Sequence, residues 1–115
     1  MANTFKVITK AGVTSADVIY TVAGSTTTVL LGIMLGNTTS GATTATVTLT
    51  SDTGSRAGAN NEANQTVELV TNAPIPVGSS LELLAGNKVV METTDTLSLT
   101  GSGATDIILS VMEIT

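Results

Sequence analysis

The chain has 115 residues, a formal net charge of −5, only 11% charged residues, and neither Cys nor His. That composition excludes thiolate and imidazole chemistry and a disulfide framework. With only Lys6, Lys10, Arg56 and Lys88 as basic residues, it also excludes the cationic surface that nucleic acid or an anionic membrane requires.

The elements follow in chain order. Thr, Val and Ile occur 23, 12 and 7 times, and such β-branched side chains suit a pleated surface. Residues 4–9 (TFKVIT) read as a short first strand, followed by a turn through Ala11-Gly12 and Ser15. Residues 17–22 (DVIYTV) form the second, and Ala23-Gly24-Ser25 turns the chain. Residues 26–37 (TTTVLLGIMLGN) are the longest and most apolar strand, with Gly32 marking a bulge or a close backbone approach. Residues 43–51 (TTATVTLTS) alternate cleanly: Val47 and Leu49 point one way, Thr46, Thr48 and Thr50 the other.

Residues 52–64 (DTGSRAGANNEAN) lack periodicity and are expected to be a flexible loop. Alternation resumes at 65–70, with Val67 and Leu69 on one face. Both prolines fall in 71–78 (TNAPIPVG), which reads as a rigid extended crossing rather than a central strand. Strands follow at 79–84 (Leu81 and Leu83 inward), 88–92 and 96–100 (Leu97 and Leu99 inward), and Gly101-Ser102-Gly103 reads as a flexible link. The closing segment 106–115 (DIILSVMEIT) is apolar on both faces: Ile107, Leu109 and Val111 share one, Ile108, Met112 and Ile114 the other. A strand of that kind belongs in the middle of a sheet or against a neighbour.

Short strands separated by turn signals predict an all-β chain. The expectation is a single small β-sandwich over residues 1–115, jelly-roll-like or Greek-key, of about eight strands. With one Phe, one Tyr and no Trp, the core must be Leu, Ile, Val and Met. The opening MANTFKVITK holds no apolar run of signal length, and the run from Val29 to Leu35 is too short to span a bilayer. Synthesis in the cytoplasm without an export signal is therefore expected.

Candidate chemistry is sparse. Glu82, Glu92 and Asp95 are the candidate carboxylates for an acid/base pair. Asp52, Asn60, Asn61 and Glu62 are candidate oxygen donors to calcium, against the plainer reading of a solvated loop. Asn37-Thr38-Thr39 and Asn64-Gln65-Thr66 match the glycosylation sequon, which chance supplies in so Thr-rich a chain. No enzyme activity, cofactor or metal is expected, and no small-molecule substrate.

Several segments carry a wider pattern. Ile19-Tyr20-Thr21-Val22 precedes T-T-x-V-L-x-G-x-x-L-x-N at residues 26–37; N-A-P-I-P-V-G-S-S follows at 72–80; K-V-V-x-E-x-x-D-x-L spans 88–97; and S-V-x-E-I closes the chain at 110–114. The pattern resembles a family of small uncharacterised virion structural proteins of tailed phages and prophages. It covers most of the chain outside 38–65. One departure is Thr94-Asp95, where the family pattern has Gly-Asp. The resemblance implies a particle component and carries over no catalytic residue.

From these readings the chain is expected to be a capsid decoration or cement protein on the outer virion surface, bound to the major capsid protein. It is expected to form a homotrimer. A tail, neck or baseplate component is the alternative, and a carbohydrate-binding adsorption module the second. Contacts are expected at the chain ends and the proline segment, through Phe5, Ile75, Val77 and Met112. Arg56 would add a charge-assisted contact.

Overall fold

The computed structural model describes residues 2–51, 65–84 and 86–115. Nine strands lie among them: β1 (Asn3–Val13), β2 (Asp17–Thr21), β3 (Thr27–Asn37), β4 (Thr43–Ser51), β5 (Gln65–Ile75), β6 (Ser80–Glu82), β7 (Val89–Met91), β8 (Thr96–Gly101) and β9 (Thr105–Ile114). They form two sheets. One runs β1-β9-β3-β6, with β7 also paired to β3, and the other runs β2-β8-β4-β5. Every pairing is antiparallel.

The pairing order has a simple rule. β6 lies against Met34–Gly36 and β7 against Thr28–Leu30, so the two occupy one strand position along β3. Counted as one, they leave eight positions. The first pairs with the last (β1·β9), the second with the seventh (β2·β8), the third with the sixth (β3·β6/β7), and the fourth with the fifth (β4·β5). A folded ribbon wound so that successive pairs fall in alternate sheets is the jelly roll.

Burial of alternate residues holds the layers together. Leu30, Ile33 and Leu35 from β3, Ile107, Leu109 and Val111 from β9, Val47 from β4, and Leu97 and Leu99 from β8 are fully buried between the sheets. Each such aliphatic side chain contributes about 1.5–3 kcal/mol relative to exposure. β9 does lie centrally, between β1 and β3. The bulge expected at Gly32 is present as a register shift between Leu30 and Gly32.

Three boundaries differ from the expectation. β1 runs on past residue 9 to Val13, absorbing Ala11-Gly12 as an irregularity between Lys10 and Val13, with Gly12 at a φ of 67°. β5 does not end at 70. Its ladder continues to Ile75, with Pro74 opposite Thr44. Pro74 is accommodated because β5 is an edge strand, where a residue without an N–H forfeits no bond on the free side. Gly101 is not a link residue: it ends β8, and a Cβ there would lie 2.8 Å from the carbonyl oxygens of both Val13 and Gly103. The loop expected over 52–64 lies outside the described residues.

Candidate assembly surface

The two outer faces of the sandwich differ in chemistry. On the four-stranded sheet, Thr46 pairs with Thr100, Thr48 with Ser98 and Thr50 with Thr96. These hydroxyl side chains lie opposite Val47, Leu97 and Leu99, which fill the core, so they coat the outside. This is the Thr-covered face that the alternation of β4 announces.

The five-stranded sheet presents the opposite. Its register aligns Phe5, Met112, Val29 and Val90 in one row across β1, β9, β3 and β7. A second row aligns Thr9, Ile108, Met34 and Glu82, and between them stand Val7, Ser110 and Gly32. Because Ile107, Leu109 and Val111 point inward, these rows face solvent. Phe5 is 71% exposed, Val7 67% and Val90 61%. Among the described residues eight large apolar side chains are substantially exposed, and five of them (Phe5, Val7, Met34, Val90, Ile108) share this face. The remaining three, Val18, Val67 and Val77, lie on separate segments. Contiguous apolar surface of this kind marks an interaction site.

The face has relief. Gly32 and Ser110 are small, and their larger neighbours Met34 and Ile108, with Glu82 at the rim, enclose a hollow of about 160 Å3 open to solvent. Phe5 projects from the neighbouring part of the same face.

One polar chain ties the two sheets together on the inward side of this surface. Lys6 Nζ lies 2.8 Å from Glu113 Oε1. Tyr20 from the opposite sheet donates to Glu113 Oε2 at 2.5 Å, and its oxygen sits 2.7 Å from Thr28 Oγ1. Since the single phenol proton goes to the carboxylate, the Thr28 hydroxyl donates to Tyr20. Burial and the Glu113 bond push the phenol up to about 12. The hydrogen bonds from Lys6 and Tyr20 hold the Glu113 carboxyl below its usual range.

The contact residues expected from sequence fall in different places. Phe5 and Met112 are cross-strand neighbours on the apolar face. Val77 is exposed, in the turn after β5. Ile75 is fully buried, at 0% exposure, so it belongs to the core and makes no docking contact; its side chain points between the sheets although the flanking prolines suggest a surface segment. Arg56 lies outside the described residues, as do Asp52, Asn60, Asn61, Glu62 and the Asn64 sequon. Ile108 shares the Met112 face as the alternation of 106–115 implies, whereas the clustering of Val7, Met34 and Val90 with them depends on pairings between distant strands.

Glu82 and Glu92 do not stand together as a pair. Glu82 sits opposite Met34 and the residue before Glu92 opposite Thr28. Six residues of extended β3 therefore separate them, about 20 Å, beyond the span of a glycosidase pair. Asp95 is buried in the turn before β8, where its Oδ2 accepts the Glu92 N–H at 2.9 Å. Asn37 is also committed: its Nδ2 donates to the carbonyls of Gly41 and Ile75 at 2.8 and 2.9 Å. That nitrogen, 93% of whose residue is hidden from solvent, is not a glycan acceptor.

No family model and no curated protein matches the sequence. Among solved structures the chain is similar to one from Bacillus endospore appendages, a family of disulfide-linked pili. That match has a TM-score of 0.49 and 18% identity over 99% of this chain and 87% of the other. It is also similar to a chain of the T13 IBDV viral particle, with a TM-score of 0.51 and 10% identity over 96% of this chain. The chain spans 35% of the length of that viral-particle chain. At such identities the likeness concerns the fold alone.

Proposed function

We propose that this chain is a structural subunit of a tailed-phage virion: a decoration protein on the outer shell, held to the major capsid protein, that works by docking and not by catalysis. The observation that carries the reading is the contrast between the faces of the jelly roll. One is coated with hydroxyls and suits solvent. The other gathers five exposed large apolar side chains, Phe5, Val7, Met34, Val90 and Ile108, and must be covered in the working assembly.

Other features support it. A net charge of −5 suits the outside of a shell better than its DNA-lined interior, where like charges repel. A subunit that binds only the assembled lattice stabilises it by the summed free energy of its contacts. The resemblance of the sequence pattern to phage and prophage virion proteins points the same way, as does the occurrence of a similar fold in a chain of the T13 IBDV viral particle.

The test is to mix the purified chain with capsids lacking it and to sediment the mixture. The chain is expected to pellet with mature capsids in a saturable ratio. Pelleting with isolated tails and not with capsids would replace the shell by the tail or baseplate. Pelleting with neither would overturn the particle reading.

A further inference from the structure

We propose that the apolar face of the five-stranded sheet is covered by a second copy of this chain, in a two-fold pair in which Phe5 of each copy fills the Gly32–Ser110 hollow of the other. This rests on reading the chain as an assembly subunit and names the partner of that surface.

Three observations select a second copy as the occupant. The first is size. Four strands about 4.8 Å apart and about ten residues long, at about 3.3 Å each, present roughly 600 Å2. That approaches the ~800 Å2 that each partner contributes to a standard stable interface. The second is charge. The rows across the face are apolar or hydroxyl-bearing except for Glu82, which ends one row beside the hollow, opposite Met34, and Asp106 lies opposite Gly36. A copy laid on a copy thus brings no like charges together at the centre.

The third is shape. Phe5 is the most exposed large apolar side chain among the described residues, and the hollow beside Gly32, Met34, Glu82, Ile108 and Ser110 is a concavity on the same face. From the register, the hollow lies about two strand spacings across the sheet from Phe5 and about three residues along it, some ~13 Å away. A two-fold axis lying in the face, midway between them, passes close to Ser110. It exchanges each Phe5 with the other copy's hollow. An interface of this isologous kind closes with two copies. The axis then runs diagonally to the strands, so the two sheets cross at about 90°, one of the two crossing geometries of packed sheets. This pair takes the place of the trimer expected from sequence, because knob and hollow on one face satisfy each other in twos.

Sedimentation equilibrium of the full chain tests this. The expected mass is twice the 11.5 kDa of one copy. Phe5→Asp is expected to weaken pairing at least ten-fold by removing the knob. Gly32→Val is expected to do the same by filling the hollow; a Cβ at Gly32 meets nothing within 4 Å in its own copy, so the fold is kept. Thr100→Asp, on the hydroxyl face, is expected to leave the mass unchanged. A monomer at all concentrations, a trimer, or a dimer indifferent to both Phe5→Asp and Gly32→Val would overturn the pairing. The two proposals fail separately. A dimer that ignores capsids removes the particle and keeps the pair, whereas a monomer that pellets with capsids does the reverse.

Discussion

Thr94 stands at a φ of 70° in the turn that leads into β8. A β-branched residue pays heavily for the left-handed region, whereas glycine enters it freely. This is the position at which the pattern that the sequence resembles has Gly before Asp, so the departure from that pattern coincides with a backbone cost. Thr94→Gly is expected to raise stability by about 1 kcal/mol, after allowing for glycine's greater entropy when unfolded. Urea denaturation of the two proteins checks it; an unchanged or lowered midpoint would remove strain at Thr94 from the account. Tyr20 offers a second test at this scale, because it is the one Tyr in the chain. Its phenolate absorbance is expected to titrate near 12 in the folded protein, against 10.0 for an unperturbed phenol. The folded state holds that proton more tightly than the unfolded chain. Its stabilising effect is therefore complete below pH 10 and fades as pH rises towards 12. Glu113 has the opposite sign: its lowered pKa contributes above the ordinary value of 4.5 and is lost as acid protonates the folded carboxylate. Tyr20→Phe is expected to cost about 1–2 kcal/mol at neutral pH and to flatten the alkaline fall. A Tyr20 titration near 10 would mean that its bond to Glu113 is absent in solution.

Between the elements, Asn37 does what no strand ladder can. It closes β3, and its amide nitrogen reaches carbonyls of the β3–β4 turn and the end of β5, while its oxygen accepts the Thr39 N–H at 2.9 Å. Its own N–H donates to the Ser79 carbonyl at 3.1 Å. The β3–β4 turn and the end of β5 are thus pinned to one buried side chain, and the Asn37 backbone holds Ser79 beside them. Asn37→Ala is expected to cost about 3 kcal/mol, since the buried Ile75 carbonyl loses its donor. Asn37→Asp is expected to cost more, because it sets a carboxylate against carbonyl oxygens. Thermal unfolding of both variants decides the matter, and a loss under about 0.5 kcal/mol in Asn37→Ala would mean the network is idle. Local pattern made most elements legible: the alternation of β4, β8 and β9 assigns their inner faces residue by residue. It failed where a residue's role depends on a distant partner. Pro74 looks like the end of a strand until β4 is beside it. Gly101 looks like slack until the Val13 carbonyl is placed against it. Asn37 reads as a turn residue with a sequon because the groups that its side chain holds include carbonyls 38 and 39 positions away.

For the molecule as a whole, the decisive property is the unequal treatment of its two outer faces. The hydroxyl coat was legible, because Thr46, Thr48 and Thr50 alternate with core residues within one strand. The apolar face was legible only in part. β9 alone shows aliphatics on both sides, but Phe5, Val29, Val90 and Met112 become one row only through pairings between segments as distant as β1 and β9. The jelly-roll wrap is what gathers them. The central claim, that this face is the assembly surface, is open to one direct measurement, since the chain has no Cys of its own. Single-cysteine variants Val7→Cys and Thr100→Cys place one thiol on each face, and each is treated with a maleimide in dilute solution and again in the assembled state. Assembly is expected to slow labelling at residue 7 at least ten-fold while leaving residue 100 unchanged. Equal labelling of residue 7 in both states, or protection confined to residue 100, would contradict the account.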